Sequence, residues 1–225
     1  MPDIGVGAAR IRAAHRKVPA GRSVLAVVSG IDGSGKGWVA ARLLDALRAD
    51  GLRVAAINVD GWLNLPEKRF SRTNPPLRFY LHAIRFDEMF EQLVLPLRDH
   101  RSVLRKAEFV EETATAYREH TYAFDDIDII LLEGIYLLKR EFRGHYDVSF
   151  WLDCSFETAL ERALARGQEG LPPEETVRSY RTVYFPAQEI HFARDAPQKA
   201  ATTVLTNDPR LEPETPRLPP ASEGA

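Results

Sequence analysis

The stretch VLAVVSGIDGSGKGWVA, residues 24–40, decides the fold. It opens as an apolar run and turns at a glycine-rich segment, with Gly30, Gly33, Gly35 and Gly37 around Lys36. It then continues into Val39, Leu43, Leu44 and Leu47 at helical spacing. That is a strand, a phosphate-binding loop and a helix. Glycines let backbone N–H groups turn inward around an anion, and the helix N-terminus adds partial positive charge. Gly30, Ile31, Asp32, Gly33, Ser34, Gly35, Lys36, Gly37 and Trp38 are therefore expected to cradle a nucleotide, with Lys36 reaching its outer phosphates. The match to G-x-x-x-x-G-K-[ST] holds through Lys36 and then fails. Gly37 stands where a hydroxyl residue would usually ligate Mg²⁺.

Working outward, 225 residues fit one domain, and 44% hydrophobic with 28% charged residues is ordinary for a chain that buries a full core. A formal net charge of −2 gives no electrostatic drive toward nucleic acid or a membrane surface, so neither is an expected partner. The single cysteine, Cys154, excludes an intramolecular disulfide, reads as a core thiol and fits a reducing cytoplasm. No apolar run approaches the ~18 residues of a membrane span. Assembly into a homo-oligomer is compatible with the sequence.

The remaining elements alternate. Residues 1–22 read as an N-terminal helical extension, with a basic helix over 8–17 stopped by Pro19 and Gly21. Strands are expected over 23–29, 53–59, 127–132, 147–152 and 202–206. Helices are expected over 36–49, 77–98, 155–166 and most of 172–192. Residues 102–126 read as either a β-ribbon or a broken helix. The domain spans 23–208, and 209–225, rich in Pro, Glu and Arg, reads as a disordered tail. Strand–helix alternation predicts a doubly wound parallel α/β sheet, helices on both faces, a small lid, and a ligand crevice at the carboxyl ends of the strands.

Lys36, Asp60 and Glu133 each follow one of those strands. If the strands are neighbours, a cation and two carboxylates converge, the set that phosphoryl transfer uses. The carboxylates Asp60 and Glu133 can hold Mg²⁺, directly or through water, and one can accept the proton of an attacking hydroxyl. Arg162 and Arg166 share a helix face four residues apart; they can close over phosphates or merely pair with Glu157 and Glu161.

SGIDGSGKG (29–37), NVDGW (58–62), IILLEGIYLL (129–138), YDVSFWLDCSFETALERALAR (146–166) and YFPAQEIHF (184–192) together resemble the uridine kinase and phosphoribulokinase group of P-loop kinases. The resemblance implies a P-loop fold and phosphotransfer from ATP, with Mg²⁺, to an alcohol. It gives Asp60 the role of base and metal-side carboxylate, Glu133 that of the Walker-B-side acid, and Arg162 and Arg166 that of lid arginines. Departures are plain. Gly37 is shared with adenylate kinases, but Trp38 replaces their threonine. The lid has Arg166-Gly167 in place of Arg-Asp. The nucleoside-recognising Tyr-Asp-Phe pattern is absent from 100–126. Acceptor contacts are sought among Arg69, Tyr80, Arg85, Tyr117, His120 and Tyr136. His191 reads as packing and Arg194 as a phosphate contact. The alternative function is a non-catalytic nucleotide-binding regulator, motivated by Gly37, Trp38 and the eroded lid.

Overall fold

A computed structural model describes residues 2–167 and 170–211. Its centre is a five-stranded, all-parallel sheet in the order β2-β5-β1-β6-β7. The strands are β1 (Val24–Gly30), β2 (Val54–Asn58), β5 (Ile129–Gly134), β6 (Val148–Asp153) and β7 (Thr203–Thr206). Two further strands, β3 (Val103–Phe109) and β4 (Arg118–Phe124), form a separate antiparallel ribbon. The ribbon settles the two readings of 102–126: the strands pair without a break from Val103 opposite Phe124 to Phe109 opposite Arg118, and no helix forms there. β1 is buried along its whole length, and β5 and β6 nearly so, which is why all three read as continuous apolar runs.

Both faces are covered. On one lie α1 (Ile4–His15) and α2 (Lys36–Ala49), packed through Ile11, Val39, Leu43 and Leu47 against the sheet. The segment 1–22 is thus an extension only in chain order. Its helix begins earlier than residue 8, because the Asp3 side chain accepts a hydrogen bond from the Val6 N–H and caps it.

The other face holds α3 (Pro66–Arg69), α4 (Pro75–His82), α5 (Phe86–Met89) and α6 (Leu95–His100), with α5 and α6 joined by a wide turn over Phe90–Val94. The helix expected over 77–98 is therefore two pieces. Ile84 leaves the helix to pair with Leu63, while the Ala83 carbonyl accepts from the Asn64 N–H and the Trp62 carbonyl from the Arg85 N–H. Periodicity is blind to this break, because the competing bonds come from residues about 20 positions away.

α7 (Phe156–Arg166) follows β6, and α8 (Pro173–Ser179), a second wide turn (Tyr180–Tyr184), α9 (Phe185–Asp195) and α10 (Pro197–Ala200) lead to β7. Both wide turns run into a proline near the start of the next helix, Pro96 and Pro186. Proline lacks an N–H and its ring crowds the carbonyl four residues back, so the preceding turn widens. Among the described residues no helix is long and apolar enough to cross a membrane.

Candidate active site

The carboxyl ends of β1, β5 and β2 are adjacent, so the loops that follow them share one cleft of about 390 Å³. Asp32, Gly33, Gly35, Lys36, Gly37 and Trp38 line it from the first loop, Asp60 from the second, Glu133 from the third, and Arg162 and Arg166 from α7.

The phosphate loop is held by close backbone packing. Gly33 has φ 75°, and a Cβ there would meet the Ala159 carbonyl oxygen at 2.4 Å. Gly35 has φ 90°, and its Cβ would meet the Asn207 amide nitrogen at 2.5 Å. Gly37 differs: its φ is ordinary and nothing lies within 4 Å of where a Cβ would stand, so a side chain would fit. The Ser34 carbonyl accepts from Arg162 Nη1 at 3.0 Å and from Asn207 Nδ2 at 2.8 Å, while Arg162 Nη2 donates to the Asn207 carbonyl at 2.8 Å. Arg162 therefore braces the loop that α7 faces. Lys36 Nζ donates to the Ile31 carbonyl at 2.9 Å, which turns its charge back over the loop.

Asp60 sits in a 3₁₀ turn, Val59–Trp62, at the end of β2. The Asn58 side chain accepts its N–H at 2.7 Å, and Trp62, fully buried and stacked on Tyr122 at 5.7 Å, anchors the turn. Asp60 is exposed at the mouth of the cleft, and the protein around it still withdraws water from its carboxyl. Desolvation raises the pKa of Asp60, of Glu133 and of Asp32. Asp60 adds repulsion to both of the others, and Lys36 is the strongest charge opposing the rise in all three. Arg166 offsets part of the rise in all three and Arg69 part of that in Asp60, yet desolvation still prevails. This is an arrangement that an incoming cation would relieve, and Asp60 and Glu133 with phosphate oxygens and water could hold Mg²⁺. Among the described residues no three of His, Cys, Asp and Glu form a metal cage of their own. Mg²⁺ commonly needs none, since it keeps several waters and takes one or two carboxylates.

The acceptor candidates divide. Arg69 lines the cleft, with Nη2 donating to the Glu112 carbonyl at 2.8 Å. His120 lines a second chamber of about 480 Å³ that shares Asn58, Asp60 and Glu112 with the cleft. Phe109, Tyr122 and Gly61 complete the apolar side of that chamber. Tyr80, Arg85, Tyr117 and Tyr136 line neither space. Arg85 is spent on structure: it stacks over Trp62 and Tyr117 and bonds the Leu63 and Glu108 carbonyls and the Glu88 carboxylate. The Tyr117 hydroxyl lies between the Leu65 N–H and the Asn64 side chain, each at 3.3 Å. Tyr80 and Tyr136 are core residues, 3% and 1% exposed. Arg194, read as a phosphate contact, does not line the cleft; its guanidinium stacks over the Tyr80 ring. His191 is buried, as a packing residue should be. Cys154 is a protected thiol beside Arg162, its pKa pushed up to about 11 by burial.

Residues beyond β7 carry structure that the sequence hid. Asp208 accepts from the Ser155 N–H and hydroxyl and from the Thr158 hydroxyl, capping α7. Burial alone would raise its pKa, but these bonds outweigh it and hold the carboxyl well below the usual range. Arg210 pairs with Glu161 at 2.7 Å. Residues 207–211 thus fold back on α7, and the remainder of the segment read as a tail, 212–225, lies outside the described residues. A proline-rich composition signals disorder, but the one acid that caps a helix 50 residues earlier has no local signature.

No family model matches the sequence, and no curated protein matches it. Solved structures do match in fold. A possible uridine kinase from Bacillus stearothermophilus superposes with a TM-score of 0.67 at 20% identity, covering 87% of this chain and 97% of that one. A candidate kinase of a fructose transport system from Silicibacter sp. TM1040 gives 0.66 at 19% identity, covering 88% and 95%. D-glycerate 3-kinase from Cryptococcus neoformans gives 0.67 at 12% identity, covering 95% and 98%. A five-stranded parallel sheet covered on both faces, with a glycine loop at the end of its central strand, is the fold this chain shares with the P-loop kinases.

Proposed function

We propose that this chain is an ATP-dependent phosphotransferase, similar to uridine kinases, that moves the γ-phosphoryl group of ATP to a hydroxyl of a small uncharged metabolite. The observation that carries the reading is the convergence of Lys36, Asp60, Glu133, Arg162 and Arg166 on one cleft from four separate elements. The glycine loop and the N-terminus of α2 bind the phosphates. Lys36 and the two arginines offset charge on the transferring group. Asp60, at the wall between the cleft and the second chamber, orients the acceptor hydroxyl and takes its proton. Glu133 faces the same space from β5. Mg²⁺, when bound through Asp60 and Glu133, supplies charge neutralisation across the phosphate oxygens.

The second chamber supports the acceptor class. Its wall is the ribbon face of Phe109, His120 and Tyr122, with ring centroids 5.4 and 4.5 Å from the central His120, and its polar side is Asp60, Asn58, Thr113, Glu111 and Glu112. Rings and acids favour a neutral, flat molecule over an anion. The test is transfer from γ-labelled ATP to nucleosides, free sugars and glycerate. Label on a neutral acceptor is expected; label on none, with the protein folded, removes the reading.

The exposed Trp38 and the side-chain-free Gly37 favour one competing reading, a nucleotide-binding regulator. Calorimetric titration separates the two: tight binding that ignores Mg²⁺, with no transfer, belongs to the regulator.

A further inference from the structure

Helix α9 carries polar residues on the face that its spacing reserves for the core. Gln188, His191 and Asp195 lie at i, i+3 and i+7; the first two have no exposed surface and Asp195 has 3%. One end of this stripe is closed. Asp195 accepts from the Tyr80 hydroxyl at 2.6 Å and the Arg140 N–H at 3.2 Å, and it pairs with His191 Nδ1 at 2.7 Å. The other end meets the phosphate loop, where Gln188 Nε2 donates to Asp32 Oδ2 at 3.3 Å.

Along the stripe, three buried polar atoms have no hydrogen-bond partner among the described residues: Gln188 Oε1, His191 Nε2 and the Tyr136 hydroxyl. They belong to one neighbourhood. The Tyr136 and His191 rings meet edge-on at 5.4 Å, and Tyr136 lies near enough to Asp32 to feel its charge. Left unpartnered, each would carry the full desolvation penalty of a buried polar group.

Their hydrogen-bonding capacities are complementary to one molecule. Burial opposes ionisation of Asp195, but its bonds to His191 and Tyr80 prevail and bring its pKa down to about 2. Asp195 is therefore an acceptor, and the His191 proton belongs on Nδ1. His191 Nε2 is then an acceptor, as is Gln188 Oε1, while the Tyr136 hydroxyl is a donor. Water donates twice and accepts, which satisfies all three atoms, and about three hydrogen bonds is the usual complement of a buried water.

We propose that Tyr136, Gln188 and His191 bind one internal water molecule, and that this hydrated cluster fixes the Gln188 amide that orients Asp32 in the phosphate loop. The water holds Oε1, so Nε2 must face the Asp32 carboxylate. Tyr136, Gln188 and His191 are positioning residues one layer behind the cleft. The water site stands on the geometry of these residues; its effect on nucleotide binding rests on the proposed function.

Nitrogen NMR of His191 in the whole protein tests the site without reference to activity. A neutral imidazole protonated at Nδ1 is expected, with an Nε2 resonance displaced by an accepted hydrogen bond. Tyr136→Phe, which keeps the ring and removes the donor, should move that resonance. A proton on Nε2, an imidazolium at neutral pH, or a resonance unmoved by Tyr136→Phe overturns the water site. For positioning, ATP titration of Tyr136→Phe and Gln188→Met should show affinity falling about tenfold, the lower range for residues that orient a first layer. Affinity unchanged in both variants overturns the positioning role. A wild-type protein that binds no ATP counts against the kinase reading instead, and the His191 resonance still decides the water site.

Discussion

The same sheet carries acids at both of its edges, the amino and the carboxyl ends of its strands, and the two sets live in opposite conditions. At the amino ends, Asp128 accepts from the Arg53 N–H at 2.8 Å and from Arg101 at 2.7 Å, Asp126 pairs with Arg101 and Arg53, and Asp147 takes the Leu25 N–H and Arg22. Hydrogen bonds from Arg101 and Arg53 hold Asp126 below its ordinary pKa; for Asp128 burial works the other way, but bonds from Arg53 and Arg101 still bring the pKa down. At the carboxyl ends, Asp32, Asp60 and Glu133 are raised by desolvation, and Lys36 is their leading counter-charge. One end of the sheet is a set of satisfied ion pairs that staple β5 to β2 and β6 to β1. The other is a cleft in which desolvation keeps the acids raised although Lys36, Arg69, Arg162 and Arg166 line the same space. Acids at the first end stabilise the fold. Acids at the second are maintained at its expense, which is the pattern expected where a site is poised for a cationic or phosphate ligand.

Substitutions at the two ends should therefore separate activity from stability. The largest effect is expected at the carboxyl ends. Lys36→Ala and Asp60→Asn should each lower turnover by at least about 10³-fold, the range for removing a group that meets developing charge. Asp60→Asn should at the same time leave the melting temperature unchanged or higher, since it removes a desolvated charge. A large loss of stability in Asp60→Asn would break the contrast. Next comes Arg162→Ala, expected to lower turnover about 10²-fold. It should also weaken ATP binding, because Arg162 braces Ser34 and Asn207.

At the amino ends Asp128→Ala should lose about 2 kcal/mol in urea unfolding, the loss of charge-assisted hydrogen bonds, with ATP affinity unchanged. The pH response has opposite signs at the two ends. Asp126 and Asp128 have lowered folded pKa values, so their contribution is present above the unfolded value of about 4 and is lost as pH falls through the folded values. Asp60 and Glu133 have raised folded values, so their ionisation opposes folding at neutral pH, and acidification through those values relieves it. The same protonation removes the base. The kcat/KM for ATP, which reports groups of the free protein, should accordingly fall at a pH above about 4, before the amino-end ion pairs fail, and its pH profile set beside unfolding curves checks the order.

The smallest effect belongs to Gly37→Ser. Open space around Gly37 means the side chain is accommodated, so activity should stay similar or rise. A total loss would show that the loop backbone requires glycine there.

The strands and the phosphate loop were legible because each is local: an apolar run, a turn that needs glycine at Gly33 and Gly35, a helix with a buried stripe. Lys36, Asp60 and Glu133 were legible because each stands at a strand end. The break at Ala83–Arg85 was not, since its hydrogen bonds come from Trp62 and Asn64. Four acceptor candidates line neither the cleft nor the second chamber, for a related reason. Arg85, Tyr80, Tyr117 and Tyr136 are polar residues in a region rich in them, and only the fold shows that they are built into the protein's own packing. Asp208, Asn207 and Gln188 act across 50 to 173 positions of chain, a separation over which a single sequence carries no spacing signal.

On the proposed reading, the desolvated acids at the carboxyl ends serve transfer of a phosphoryl group. A single-turnover assay of wild-type protein and Asp60→Asn with γ-labelled ATP, Mg²⁺ and the panel of neutral alcohols tests it most directly. Wild-type protein is expected to move the label to an alcohol, and Asp60→Asn to bind ATP but leave the label in place. Transfer by Asp60→Asn at the wild-type rate, or binding of ATP by both with transfer by neither, would contradict it.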